Sequence, residues 1–162
     1  MPKFVVTGHT SGIGKIIHNY FGGIGLSKST GFDISIDDIE PYLQSSDVFI
    51  NNAYDKDNPW AQTAILYKSI NMCDRIVCIG SNTTDEQKDW VHPYQAAKQA
   101  LETACNQLFY QGYNITLIKF GLVDTPMVES INAKKIASED VIPYLQFIIN
   151  SPYRIPSITV VP

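Results

Sequence analysis

The stretch "KFVVTGHTSGIG" (residues 3–14) places a short apolar run directly before three glycines. The run at 3–8 is rich in β-branched residues and ends at a glycine, which predicts a buried strand. After the glycines, apolar residues recur at Ile13, Ile16, Ile17, Tyr20 and Phe21. This spacing predicts a helix with one apolar face. A strand, a glycine-rich turn and a helix in this order predict a binding site for the phosphates of a nucleotide.

The three glycines have separate predicted roles. Gly8 forms the sharp turn out of the strand, Gly12 lets a diphosphate approach the backbone, and Gly14 lets the helix pack closely. The free amides of the helix N-terminus then face the anion. A turn without a ligand is the alternative, but the flanking strand and helix favour a nucleotide. The predicted cofactor contacts in this loop are Gly8, Thr10, Ser11, Gly12, Ile13 and Gly14.

The rest of the chain alternates short β-rich runs with helical patterns. Further strands are predicted at 23–29, 31–35, 47–53, 74–81, 113–121 and 156–161, and further helices at 36–44, 59–71, 94–111 and 138–150. Such alternation is typical of a parallel sheet with helices on both faces. The predicted fold is α/β, a Rossmann-type doubly wound parallel sheet that forms a single three-layer domain over residues 1–162. The segment at about 121–140 is predicted to be a short substrate loop.

Composition and charge argue against several classes of function. The chain has 44% hydrophobic and 17% charged residues and a net charge of −4 without a block of Lys or Arg, so we expect neither a nucleic acid nor a membrane as partner. No apolar run approaches the roughly 20 residues of a membrane-spanning helix, and we expect no signal peptide. The cysteines Cys73, Cys78 and Cys105 match no zinc or CxxC spacing. We therefore expect reduced thiols, no metal site and a cytoplasmic location.

The end of the second predicted strand indicates which nicotinamide cofactor the site prefers. An acidic residue there would bind the adenosine 2′-hydroxyl, but the sequence has Ser27, Lys28, Ser29 and Thr30. A lysine flanked by hydroxyl groups suits a 2′-phosphate, so we predict NADP(H) rather than NAD(H). A solvated loop lysine is the alternative for Lys28. Asp33 is predicted to lie beside the adenine ring.

The segment "HPYQAAK" (92–98) places a tyrosine and a lysine four residues apart at the start of a predicted helix. Residues at this spacing lie on one face of a helix, so Tyr94 and Lys98 can point to one spot. An ammonium near a phenol lowers the pKa of the phenol, which predicts a tyrosine that moves a proton. An incidental pair on an exposed helix is the alternative. Ser81, which ends the preceding predicted strand, favours a catalytic site because such folds bind ligands at strand ends.

These motifs, in this order, resemble those of the short-chain dehydrogenases/reductases. The resemblance is carried by TGxxxGIG (7–14), Asp33-Ile34, NNA (51–53), Ser81, YxxxK (94–98) and GxVxT in "GLVDTP" (121–126). It runs through almost the whole chain, and the ordered set is more specific than any one motif. The resemblance implies an NAD(P)-dependent oxidoreductase that acts on a small carbonyl or alcohol substrate.

The resemblance also implies a role for each catalytic residue. Tyr94 would donate a proton to a substrate carbonyl as hydride arrives from the nicotinamide, or take it back during oxidation. Ser81 would hydrogen-bond the carbonyl oxygen. Lys98 would bind the nicotinamide ribose and lower the pKa of the tyrosine.

Further cofactor contacts are implied away from the reacting atoms. They are Val123 and Thr125 at the carboxamide end, Asn51 and Ala53 on the adenosine side, and Asp33 and Ile34 beside adenine. Each also has a structural alternative, such as Asn51 capping a strand or Thr125 starting a turn. Members of the family commonly pair through the helix that carries YxxxK, so we expect a homodimer or homotetramer.

The chain departs from the family pattern at several positions. Tyr54 follows NNA where glycine is usual, and Phe120 stands where proline is usual before the glycine of GxVxT. The chain is also shorter than ordinary members. The missing parts include a region that commonly holds an asparagine completing a proton relay, and neither Asn58 nor Asn71 can be matched to that asparagine.

Two other functions stay open at this point. The protein could bind NAD(P) as a regulatory or structural element, although the intact set of Ser81, Tyr94 and Lys98 argues against lost catalysis. A sugar-nucleotide epimerase or dehydratase also uses YxxxK, but the short tail leaves no room for its extra substrate domain. The substrate and the preferred direction of reaction do not follow from the sequence.

Overall fold

One sheet of six parallel strands forms the centre of the molecule. The computed structural model describes residues 1–162. The strands are β1 (Phe4–Thr7), β2 (Ile24–Leu26), β3 (Val48–Asn51), β4 (Arg75–Ser81), β5 (Ile115–Phe120) and β6 (Ser157–Val160). Their order is β2-β1-β3-β4-β5-β6, and every neighbouring pair is parallel. The predicted α/β fold with a doubly wound parallel sheet is confirmed.

Five helices cover the two faces of the sheet. They are α1 (Gly12–Phe21), α2 (Glu40–Leu43), α3 (Ala61–Ser69), α4 (Pro93–Tyr110) and α5 (Val141–Asn150). Leu66 of α3 and Leu101 of α4 belong to the buried cluster on one face. Ile17 of α1 and Leu145 of α5 belong to the cluster on the other. Burying each such side chain contributes about 1.5–3 kcal/mol, so apolar residues on both faces of the sheet hold the three layers together.

Strand β4 shows why the central strands are continuous apolar runs. Ile76 and Cys78 belong to one buried cluster, while Val77 and Ile79 belong to the other. Successive side chains of a strand point to opposite faces, and helices cover both faces of this sheet. Every residue in the run is therefore buried.

The strand order places a crevice at one edge of the sheet. From β1 the chain passes outward to β2, and it then returns to the other side of β1 to form β3. A reversal of this kind opens a crevice at the carboxyl ends of the two strands. The glycine loop follows β1, residues 52–54 follow β3, and Ser81 ends β4. The sheet therefore brings these segments to the same edge.

The strand predicted at 31–35 does not form, so that prediction was wrong. Instead, Asp33 accepts hydrogen bonds from backbone amides that follow it in the chain. Its Oδ1 accepts from Ser35 N at 2.9 Å, and its carbonyl accepts from the amides of Ile36 and Asp37. An aspartate side chain that accepts a hydrogen bond from the backbone amide two residues later gives that amide an alternative to pairing in a sheet.

Other element bounds differ from the predictions for local reasons. Helix α2 is shorter than the helix predicted at 36–44. Proline fits only the first turn of a helix, so the helix that contains Pro41 begins just before it. The strand predicted at 23–29 is also shorter and gives way to a 3₁₀ turn at Lys28–Thr30. Gly112 follows α4 with a φ of +104°, a conformation that glycine adopts readily after a helix.

Replacing Gly14 by alanine is expected to destabilise the fold by about 1–3 kcal/mol. An alanine Cβ would overlap the Gly8 carbonyl oxygen and Asn52 Nδ2, so α1 would have to move off the loop. Lys15→Ala, at the exposed neighbouring position, is the matched control and should change stability by less than about 0.5 kcal/mol. Urea unfolding at unchanged m value measures both. A Gly14→Ala protein as stable as the control would contradict this close packing.

Candidate active site

A cleft of about 1080 Å³ opens at the carboxyl edge of the sheet, with Lys28 at one end and Met127 at the other. Its volume lies slightly above the usual range for small-molecule pockets, so the cleft has room for a large ligand. Most of the predicted site residues line it: Gly8, Thr10, Ser11, Gly12, Ile13, Lys28, Asp33, Ile34, Ala53, Ser81, Tyr94, Lys98, Val123 and Thr125. The predicted contacts Gly14 and Asn51 do not line it.

The glycine loop fits the phosphates of a dinucleotide. Gly8 and Gly12 have φ values of +73° and +53°, in the left-handed region that glycine adopts without strain. A Cβ on Gly12 would meet nothing within 4 Å, so the loop is open on its cleft side. The Ser11 side chain caps none of the first amides of α1, which leaves them available to an anion.

Two hydrogen-bonded strand ends form the floor of the cleft. The Thr7 hydroxyl accepts from the amides of Asn52 at 3.0 Å and Ala53 at 3.1 Å, and Asn52 Nδ2 donates to the Thr7 carbonyl at 3.0 Å. Asn52 and Ala53 therefore line the cleft. Asn51 is fully buried one residue earlier, because successive residues of a strand face opposite sides. The predicted cofactor residue Asn51 therefore does not line the cleft.

Lys28 is held by two carboxylates. Its Nζ lies 3.2 Å from Asp33 Oδ2 and 3.0 Å from Asp55 Oδ2. Ser35 Oγ donates to Asp55 at 2.6 Å, and this bond, with those from the Asp57 amide and Lys28, holds the pKa of Asp55 well below its ordinary value. Hydrogen bonds to Asp55 and Asp33 raise the pKa of Lys28. Lys28 is therefore an ion-paired lysine at the edge of the cleft.

A cluster of hydroxyl groups adjoins Lys28 in the chain. Ser29 Oγ donates to Thr10 Oγ1 at 3.0 Å, and Ser27 Oγ lies 3.0 Å from Ser29 Oγ and 3.2 Å from Thr30 Oγ1. These contacts connect the glycine loop to the end of β2. Hydroxyl groups can rotate to donate to an anion, so the cluster can adapt to a phosphate group.

The start of α4 positions Tyr94. Pro93 lies in the first turn, and His92 Nδ1 accepts from the Gln95 amide at 3.0 Å. A capped start with proline in the first turn fixes where the helix begins. Because residues four apart share a helix face, Tyr94 and Lys98 both reach the cleft.

Burial sets the protonation state of Tyr94. Desolvation raises the pKa of its phenol, the Ser81 hydroxyl lowers it, and Tyr54 raises it further. The phenol is therefore protonated at neutral pH. The sequence predicted a pKa lowered by Lys98, and the structure reverses that direction because desolvation is the largest effect.

Ser81 is oriented to donate a hydrogen bond. Its hydroxyl oxygen accepts from the Thr83 amide at 3.2 Å, which leaves its own proton for another acceptor such as the Tyr94 oxygen, whose pKa it lowers. Thr84 Oγ1 lies 3.0 Å from the Ser81 carbonyl oxygen and 2.8 Å from Glu102 Oε2, and its single proton is shared between these two acceptors. Ser81 is thus tied to α4 as well as to the sheet.

Lys98 is a buried ammonium beneath two tyrosine rings. The residue is 4% exposed, and its Nζ donates to Gln62 Oε1 at 2.8 Å and to the Ile79 carbonyl at 3.1 Å. The same atom lies 5.5 Å from the ring centre of Tyr94 and 5.7 Å from that of Tyr54. Aromatic faces stabilise a nearby cation. Burial lowers the pKa of Lys98 to about 8, so the ammonium is still charged at neutral pH.

The two residues that depart from the family pattern both line the cleft. Tyr54 lies edge-to-face against Tyr94, with ring centres 4.9 Å apart. Phe120 ends β5 and belongs to the apolar cluster beneath the cleft. Tyr54 therefore narrows the cleft near Tyr94 and Lys98.

Gln62 is the site residue that the sequence analysis missed. Its one sequence signal is its place on the core-facing stripe of α3 with Ile65 and Leu66, where an apolar residue is expected. The asparagines considered for a relay are elsewhere. Asn58 does not line the cleft, and Asn71 lines a separate pocket.

Solved structures with the same architecture include 4-hydroxyisoleucine dehydrogenase complexed with NADH. Its alignment covers 99% of this chain and 96% of that chain, with a TM-score of 0.78 and 17% identity. A 3-oxoacyl (acyl-carrier-protein) reductase from Agrobacterium tumefaciens C58 with NADP bound aligns over 99% and 93%, with a TM-score of 0.77 and 15% identity. A short-chain dehydrogenase from Streptomyces avermitilis aligns over 98% and 87%, with a TM-score of 0.70 and 12% identity.

This chain has the fold of the short-chain dehydrogenases/reductases. No protein-family model matches the chain, and no curated protein matches it significantly in sequence. The likeness is therefore one of fold, and it does not by itself assign a chemistry to the cleft. None of the helices combines the length and the apolar character that crossing a membrane requires.

Replacing Lys98 by methionine is expected to change how the free energy of unfolding depends on pH. The pKa of Lys98 is about 8 in the folded protein and near its ordinary 10.5 in the unfolded chain, so the unfolded state binds more protons between these values. The wild type should therefore gain stability relative to Lys98→Met as the pH rises from 8 toward 10.5, and lose it as the pH falls through 8. The full change is about 3 kcal/mol.

Urea unfolding at pH values on either side of 8 measures this difference. Lys15→Met, at an exposed position of α1, is the matched control and should follow the wild type. Parallel pH dependences for the wild type and Lys98→Met would show that Lys98 is not a buried ammonium.

Proposed function

We propose that this chain is an NADP(H)-dependent oxidoreductase that interconverts a small carbonyl compound and its alcohol. The observation that carries the proposal is that Ser81, Tyr94 and Lys98 line the same cleft as the glycine loop. Hydride transfer to a carbonyl needs a hydrogen-bond donor for the oxygen, a proton source and a cofactor held beside them. The cleft offers residues for all three.

The proposed mechanism assigns one task to Ser81 and one to Tyr94. A bound nicotinamide would supply or accept the hydride. Ser81 donates to the substrate oxygen the proton that its bond from Thr83 leaves free, and so stabilises negative charge there. Tyr94, protonated at neutral pH, gives its proton to the same oxygen. Oxidation of an alcohol runs these steps in reverse.

The two ends of the cleft suit the two ends of the cofactor. Asp33 and Ile34 would flank adenine, while Lys28 and the hydroxyl cluster beside it would bind the 2′-phosphate that distinguishes NADP(H). In this mode Lys28 exchanges a carboxylate partner for the phosphate. Val123 and Thr125 line the other end and would hold the carboxamide.

The segment 121–140 bounds the substrate end of the cleft. Val123 and Ile136 form a parallel bridge that closes the base of this loop. Met127 and Ile131 are exposed and line the cleft. An apolar rim of this kind suits a substrate with an apolar part next to its carbonyl group.

A non-catalytic NAD(P)-binding protein is the second candidate, and one observation favours it. Tyr54 lies over the Lys98 ammonium and against Tyr94, where it narrows access to both. Saturable NADPH binding without carbonyl-dependent oxidation of NADPH would support this candidate.

The homodimer or homotetramer and the cytoplasmic location stay predictions. One observation agrees with pairing through α4, since no charged side chain is exposed along this helix. Its exposed residues are Pro93, Ala96, Gln99, Thr103, Asn106, Gln107 and Tyr110. Surfaces with few charged residues are typical of the centres of interfaces.

Fluorescence titration with NADPH and with NADH tests the cofactor. We expect saturable binding that favours NADPH by about tenfold or more, since a charge-assisted contact to the 2′-phosphate is worth about 1.5–3 kcal/mol. Lys28→Ala should reduce that preference and leave NADH binding unchanged. Lys56→Ala is the control, because Lys56 pairs only with Asp57 and lies outside the cleft. A preference for NADH would remove the role of Lys28, and binding of neither cofactor would refute the proposed function.

Carbonyl-dependent oxidation of NADPH, measured on a panel of aldehydes and ketones, tests the mechanism. Tyr94→Phe removes the proton source and should lower turnover by about 10²–10⁴-fold without loss of NADPH binding. Tyr110→Phe, at the exposed far end of α4, is the matched control and should retain turnover. Turnover that survives in Tyr94→Phe would rule out the assigned mechanism.

A further inference from the structure

Gln62 is a polar side chain in the apolar layer between α3 and the sheet. It is 3% exposed, yet every hydrogen-bonding atom of its side chain has a partner. Nε2 donates to the Asn51 carbonyl at 2.9 Å and to the Ile79 carbonyl at 3.1 Å, and Oε1 accepts from Lys98 Nζ at 2.8 Å. An apolar residue of similar size would fill this place without needing any partner. The full set of bonds therefore indicates a specific role.

The two carbonyl groups fix the orientation of the amide. Both protons of Nε2 are taken by Asn51 and Ile79, so Oε1 is the atom that faces Lys98. A rotated amide would turn its donors toward an ammonium that can only donate. Asn51 Nδ2 also donates to the Gln62 carbonyl at 3.0 Å, which holds the start of α3 against the end of β3. The amide oxygen of Gln62 is therefore held facing the Lys98 ammonium.

Few other groups offset the cost of burying the charge of the Lys98 ammonium. It forms no ion pair, and its hydrogen-bond acceptors are Gln62 Oε1 and the Ile79 carbonyl. The titratable groups around it are two tyrosines and two thiols, with no carboxylate among them: Tyr54, Tyr94, Cys78 and Cys105. Removing one of two acceptors from a buried cation strongly disfavours its charged form.

We propose that Gln62 is a positioning residue that keeps Lys98 charged and holds its ammonium beneath the rings of Tyr54 and Tyr94. It acts through Lys98 and does not line the cleft. An amide does not titrate near neutral pH, so Gln62 supplies a fixed acceptor and relays no proton. The effect of Gln62 on catalysis rests on the proposed function. Its effect on Lys98 does not, because the pKa of Lys98 can be measured directly.

The test is an NMR titration of the full chain labelled with ¹³C at the lysine Cε atoms, in which the Lys98 signal is the one missing from Lys98→Met. Gln62→Met removes the acceptor and should lower the pKa of Lys98 by about 1–2 pH units, as the loss of a hydrogen bond to a charged group implies. Gln62→Glu places a carboxylate beside the ammonium and should raise that pKa above the wild-type value. Gln99→Met, on the exposed side of α4, is the matched control and should leave it unchanged.

The titrations of folded variants decide the proposal. A Lys98 that titrates in both Gln62 variants as in the wild type would overturn it, because a merely structural Gln62 changes stability without moving this titration. If Gln62→Met does not fold, Gln62→Glu decides by the same criterion. The wild type gives an independent test, since a Lys98 that is neutral at neutral pH would also overturn the proposal.

Titration of the same samples with NADPH separates the two proposals. A Lys98 titration that shifts in the Gln62 variants, together with a wild type that binds no NADPH, would support the role of Gln62 and remove the proposed oxidoreductase function. Carbonyl-dependent oxidation of NADPH by the wild type, together with a Lys98 titration that does not move in the variants, would do the opposite.

Discussion

The Lys98 ammonium lies in a layer almost closed to water, and the candidate site is arranged around it. A charge removed from water needs hydrogen-bond acceptors, and these come from Gln62 of α3 and Ile79 of β4. Gln62 is in turn bonded to Asn51 at the end of β3. The lysine therefore fixes α3, α4 and two central strands relative to one another. The same arrangement places Tyr94, one helical turn before Lys98, in the cleft.

The sheet and much of the cleft could be predicted because their signals are local. The β-branched run of β1, the glycines after it and the apolar spacing of α1 lie within one short segment, and each has a physical cause that needs no distant partner. Ser81 ends a strand and Tyr94 starts a helix, so the rule that parallel strands present their carboxyl ends at one edge brings both to the same cleft. Lys98 follows from the helical spacing alone.

The features that the sequence did not predict depend on partners far along the chain or on competition between local bonds. Asp33 ends a strand pattern by bonding to its own backbone neighbours, which outweighs the β-rich composition of 31–35. Asn51 lies one residue from the cleft-lining Asn52, and a shift of one residue reverses the face of a strand. Gln62 looks like a misplaced polar residue in a helix until Lys98, from α4, is placed beside it. The upward shift in the pKa of Tyr94 depends on burial, which only the packed structure defines.

The protonation states of Tyr94 and Lys98 in the ligand-free site change with pH in a fixed order. Reduction of a carbonyl starts from a protonated phenol, and burial provides that state by raising the pKa of Tyr94. Oxidation starts from a phenolate, which a nearby cation would stabilise. As the pH rises, however, Lys98 loses its proton near pH 8, before a phenol whose pKa lies above its ordinary value. Alkaline conditions thus remove the cation before they create the phenolate.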